Sequence, residues 1–147
     1  MDLIFGTYPS WSLLIVRVFL GVIMFAHGAQ KVFGWFGGHG LKGTIGYFQQ
    51  ALRIPPALTV LAALTECFGG LAVLGGFLAR PAALGIIVGM LVAVAKVHWH
   101  NGFFMNWANE PGKGHGFEMN LALIGMALAV LVGGAGALSI DRMINPW

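Results

Sequence analysis

His27 and Lys31 close the first long apolar run of this chain, and Glu66 stands in the middle of the second. Lys96, His98, His100 and Asn101 end the third, in "VAKVHWHNGFF", and Glu118 opens the fourth. Imidazole, carboxylate and amine groups so placed can move protons, hydrogen-bond a carbonyl or hold a cation. Glu66, His27 and Glu118 are the candidate catalytic acid–base groups. His27, Lys31, Lys96, His98 and Asn101 are the donors suited to the polar end of a cofactor. His27, Glu66, His98, His100 and Glu118 form a mixed imidazole–carboxylate set suited to Fe, Mn or Zn. That set needs the helix to unwind at "HNG", because in an unbroken helix His98 is rotated about 200° from Lys96 while His100 shares the Lys96 face.

Plainer readings stand beside these. The histidines can be interfacial groups bonded to loop backbone, and Lys96 can snorkel to the headgroups. A charge at mid-membrane costs roughly 2.5–3.5 kcal/mol, so Glu66 needs a partner or a proton. Arg17, Leu20, Met24, His27 and Lys31 lie on one helical stripe. His27 is nearest Glu66 by depth, and Arg17 can reach it as a purely structural ion pair. Lys96 and Glu118 fall at similar depth and can pair. His39 and His115 lie in glycine-rich loops and read as solvated or structural. Cys67 is the sole cysteine, which excludes a disulfide or a CxxC pair within the chain. A lone buried cysteine is ordinarily a small apolar residue.

The elements that must position these groups follow from composition. Of 147 residues, 58% are hydrophobic and 9% charged, and mean hydropathy is +0.82. Soluble domains carry about 25% charged residues, so the bilayer is the expected solvent and partner. The net charge of +3 is spread without a basic run, which leaves nucleic acid no footprint. The N-terminal stretch lacks a basic region and a small-residue cleavage site, so the first apolar run reads as a retained helix. The pattern predicts an all-α, polytopic membrane protein, a single domain over 1–147. Four transmembrane helices in an up-down bundle cover about 10–33, 56–78, 81–98 and 117–132. Leu41, Ile45, Phe48 and Leu52 add an amphipathic interfacial helix over about 41–52, between the first two spans. Alternating direction collects the polar residues on one membrane face, and the positive-inside count favours a cytoplasmic location for it. Gly85 with Gly89, and Gly125 with Ala129 and Gly133, form small-residue stripes that suit close helix packing or a homodimer interface. Trp35, Trp99 and Trp107 are expected interfacial anchors. The two hairpins resemble each other, which suggests a two-plus-two duplication.

Several segments carry a wider likeness: "RVFLGVIMFAHGAQKVFGWFGG", "GLKGT", "ECFGGLAVLGGFLARPAALG", "VHWHNGFF" and "GFEMNLAL". Together they resemble the DoxX family of small four-helix membrane proteins, over essentially the full chain. The resemblance implies a bacterial-type inner-membrane protein. It also links the chain to the membrane subunit of thiosulfate:quinone oxidoreductase and to membrane complexes that handle thiol or oxidative stress. His27, Lys31, Glu66, His98, Asn101 and Glu118 fall within the family's recurring motifs. The implied function is a redox-associated membrane subunit, with quinone or a transition metal as cofactor and a redox protein as partner. A non-enzymatic anchor or assembly subunit and a small-solute or ion carrier are the alternatives.

Overall fold

The computed structural model describes residues 2–145, and all the regular structure in them is helical. In chain order the helices are α1 (Asp2–Phe5), α2 (Trp11–Val32), α3 (Gly40–Ala51), α4 (Pro56–Gly75), α5 (Ala79–Ala93), α6 (Glu118–Gly133) and α7 (Ile140–Ile144). A 3₁₀ turn, Trp35–Gly37, joins α2 to α3. α5 runs on through a π turn, Val94–His98, and a 3₁₀ turn, Trp99–Asn101. α2, α4 and extended α5 are long and apolar enough to cross a membrane. α6 is also apolar but has 16 residues, about 24 Å of helix against a hydrocarbon core of about 30 Å.

Local chemistry sets the ends. The Ser10 hydroxyl accepts from the Leu13 amide and caps α2. Pro56 opens α4, where a missing N–H costs nothing. Gly76 ends α4 in the left-handed region at φ 66°. The turn therefore lies at Gly76–Leu78, and Ala79 and Arg80, which fall between the expected spans 56–78 and 81–98, are instead the start of α5. Pro81 falls in the first turn of α5, where the amides have no helical partner to lose.

α2 and α4 pack backbone to backbone. A Cβ at Gly28 would overlap the Cys67 backbone, and one at Gly70 would lie 2.5 Å from the Phe25 nitrogen. Leu20, Met24, Val73, Ile86, Leu123 and Val130 fill the core that α2, α4, α5 and α6 share. Phe19, Leu61, Phe68, Leu84, Leu91 and Leu121 point outward and are exposed, as lipid-facing side chains are. Of the anticipated packing glycines, Gly85 meets the Thr65 side chain and Gly133 the Leu13 side chain, whereas Gly89 and Gly125 meet nothing within 4 Å. The glycines that let two long helices touch backbone to backbone are those of the α2–α4 crossing.

Arg17 closes the bundle at the end away from Lys31. Its guanidinium donates to the carbonyls of Val73 and Leu74, at the last turn of α4, and to those of Ala137 and Leu138. Val73 also accepts from the Gly76 amide, whereas a helix end and an irregular turn leave the Leu74, Ala137 and Leu138 carbonyls to the guanidinium. Asp141 does the complementary work, accepting from the Leu78 and Ala79 amides at the start of α5. Burial pushes the Asp141 carboxyl above the ordinary carboxylate value, while those amides, Arg17 and Arg80 pull it back. Arg17 is thus committed to backbone and does not pair with Glu66. Arg17→Met should cost about 3 kcal/mol, because several buried carbonyls lose their donor together. Asp2→Ala, at an exposed contact with Asn145, should stay within about 0.5 kcal/mol. Unfolding of both variants in detergent measures the difference.

Candidate functional site

The carboxylate of Glu66 meets the ammonium of Lys31, with Nζ 2.5 Å from Oε1 and 2.6 Å from Oε2. The Glu66 side chain is 8% exposed and that of Lys31 28%. Glu66 is buried because it faces α2 from the middle of α4. Lys31 reaches it from the last turn of α2, its aliphatic stem lying along apolar surface. The Phe48 ring lies 5.7 Å from the ammonium, which adds a cation–π attraction. Thr44 fixes α3 over this spot: its hydroxyl lies 3.2 Å from the Lys31 carbonyl and 2.8 Å from the Gly40 carbonyl.

The pair forms the polar end of a cleft of 560 Å³ between α3, α4 and α5. Phe48, Leu52, Leu58, Leu61, Ile86, Val88 and Val92 make its walls, and Gly85 and Gly89 thin the α5 side. Arg53 and Lys96 also line it, and both are exposed. Lys96 arrives through the π turn, whose wide ring is closed by the Trp99 amide donating to the Val94 carbonyl. Such turns carry one extra residue and re-aim side chains. Arg53, Phe48, Leu52 and the glycines are site residues that sequence reasoning missed. The apolar stripe of α3 is their one signal, since it demands an apolar surface to cover.

The remaining polar residues do not converge on the pair. His98 Nδ1 donates to the His115 carbonyl at 2.9 Å. Asn101 donates to the carbonyls of Val97 and His115. Glu118 accepts from the Met105 amide and from Trp107 Nε1, so it does not pair with Lys96. Buried Asn106 bonds Glu110 and Lys113 within the same loop, and its amide donates to His115 Nδ1. These side chains pin the 102–117 loop onto the helix ends, and His115 is one of the pins. His27 and His100 are exposed, His27 because the α2 face that meets α4 passes through Gly28. Among the described residues no three His, Cys, Asp or Glu side chains come together as metal ligands. His27, Glu66, His98, His100 and Glu118 therefore do not fit a metal centre here.

The DoxX family model matches residues 12–99, the part of the chain that holds α2 through the π turn. The chain belongs to the DoxX family. It is also 31% identical, over 134 residues, to the inner membrane protein YqjF of Escherichia coli (strain K12), covering 91% of this chain and 92% of that one. No solved structure matches. Family, relative and apolar helices together make this DoxX protein a multi-pass protein of the inner membrane. Both members of the buried pair, and every residue of the cleft, lie within the matched segment.

The two halves of the pair should respond unequally to substitution. Lys31→Met strands a carboxylate in an apolar wall and should cost about 3 kcal/mol. Glu66→Gln should cost about 1 kcal/mol, because the half-buried Lys31 can turn outward to water. A Lys31→Met, Glu66→Leu double variant should recover most of the loss. A double-mutant cycle by detergent unfolding gives all three values.

Proposed function

We propose that this DoxX protein is a redox-associated membrane subunit that holds a membrane quinone in the α3–α4–α5 cleft. The observation that carries the reading is a buried carboxylate bonded to a half-buried ammonium, at the end of an apolar cleft whose walls Leu58, Leu61 and Val88 are exposed on the outside of the bundle. The fit is chemical. A prenyl tail needs an apolar trough, and a quinone head needs a donor for its carbonyl and a group that exchanges protons. Phe48, Leu58, Leu61 and Val88 supply the first; Lys31 and Glu66 supply the second. A bound quinone supplies a two-electron, two-proton acceptor. Lys31 Nζ would donate to the carbonyl, and the Glu66 carboxylate would be the group that exchanges a proton with it. Lys96 is the second donor within the lining.

This reading moves the chemistry from His27, His98 and Glu118 to Lys31, Glu66 and Lys96. It also takes α6 as a fourth crossing. α6 packs on the shared core and turns Leu121, Leu128 and Val132 outward, the arrangement of a lipid-facing span. An anchor that docks a partner protein is the second reading. The exposed aromatic loop residues Phe104 and Trp107 favour it.

Protein purified in mild detergent and extracted with organic solvent should yield quinone near one per chain. Gly89→Phe grows into open space within the cleft, so it should fold and lose roughly tenfold in quinone content, the worth of about 1.4 kcal/mol of apolar contact. Equal quinone in both proteins overturns the reading. Retention of a partner protein by quinone-free material supports the anchor.

A further inference from the structure

We infer that the mouth of the cleft is a binding site for an anionic phospholipid, with Arg53 and Lys96 taking the phosphate and an acyl chain lying along α5. Charge decides the occupant. The cleft is lined by three cations, Lys31, Arg53 and Lys96, and by one acid, Glu66. Glu66 is spent on Lys31. Among the described residues the other ion pair is Lys113 with Glu110, so Arg53 and Lys96 have no acidic partner. Two uncompensated cations at the edge of an apolar trough in a membrane fit a ligand that is negative at one end and apolar along the other.

The backbone at Arg53 is the second, independent observation. Arg53 follows the last turn of α3 at φ 55°, a left-handed position that glycine or asparagine ordinarily fills after a helix. A long side chain is strained there, and strain that persists at a ligand-facing position points to a use for that side chain. Arginine is also the side chain whose planar fork best matches a phosphate. Lys96 lines the same trough from the π turn, a feature that recurs at functional sites. The lipid would share the trough and Lys96 with the quinone of the proposed function, so the two occupants compete, but the support for it is the cationic rim and its test needs no quinone. A lipid seated at the rim closes the trough to other tails.

The test uses full-length protein freed of lipid and quinone, titrated with phosphatidylglycerol or phosphatidylcholine, with retained lipid counted by native mass spectrometry. One phosphatidylglycerol per chain should bind in clear preference to phosphatidylcholine. Lys96→Gln and Arg53→Gly should each weaken the preference about fivefold, the effect of one basic residue at a lipid surface. Arg53→Gly is decisive, because it relieves the left-handed backbone and should melt no lower than the unaltered protein. Loss of binding in a protein that is not destabilised supports the site. Equal retention of both lipids means annular lipid only and overturns it, as does an unchanged preference in the Arg53→Gly, Lys96→Gln double variant. Equally tight binding of glycerophosphoglycerol, which has the head and no tails, also overturns it. None of these results depends on whether quinone binds at Glu66.

Discussion

A carboxylate and an ammonium in contact inside an apolar bundle cannot be treated as two independent side chains. Each makes the other's charge tolerable, and Glu66, the more deeply buried of the two, depends on Lys31 for that compensation. Lys31 belongs to α2 and Glu66 to α4, so the pair ties the two helices at one fixed rotation. The fold must bring these backbones close enough for a lysine at a helix end to reach a glutamate at mid-helix. Gly28 and Gly70 permit that approach, since a side chain at either would push the helices apart. The chemistry of the site therefore rests on positions that have no side chain at all.

The opposite end of the bundle solves a different problem with similar groups. Arg17 satisfies carbonyls where α4 ends, and Asp141 satisfies amides where α5 begins. This leaves the Gly76–Leu78 turn ordered and α4 and α5 antiparallel. The helices are clamped at the Arg17 end, and toward the Lys31 end α3 packs on α2 and α4 beside the cleft. Buried charge at one end is structural, with both terminal nitrogens of Arg17 and both oxygens of Asp141 bonded to backbone. At the other end it faces a cleft large enough for a ligand. The division is what recommends the Lys31 end as the working one.

The helical, membrane-embedded character is legible in the sequence because it depends on local composition: long apolar runs, proline at helix starts, glycine at helix stops. The amphipathic stripe of α3 is legible for the same reason. Partners across helices are not. Spacing places His27 and Lys31 on one face of α2, yet the face that meets α4 runs through Met24, Gly28 and Lys31. Glycine gives no polar or apolar signal, so a shift of one residue toward His27 goes unseen. The Glu66–Arg17 and Lys96–Glu118 pairings fail for a related reason. Depth suggests the second and side-chain reach the first, but backbone groups at helix ends and loops, with Trp107 for Glu118, claim Arg17 and Glu118. The π turn that carries Lys96 has no sequence signature at all.

The central claim is that the cleft headed by Lys31 and Glu66 receives a membrane-soluble ligand from the lipid side. Photolabelling in native membranes tests it most directly. A prenylated quinone carrying a photoreactive tail would be illuminated in place, and its adducts mapped by peptide mass spectrometry. The account predicts adducts on α4 and α5 at cleft residues such as Leu58, Leu61, Val88 and Val92, suppressed by unlabelled quinone. Adducts confined to the 102–117 loop or α6, or labelling that unlabelled quinone leaves untouched, would contradict it.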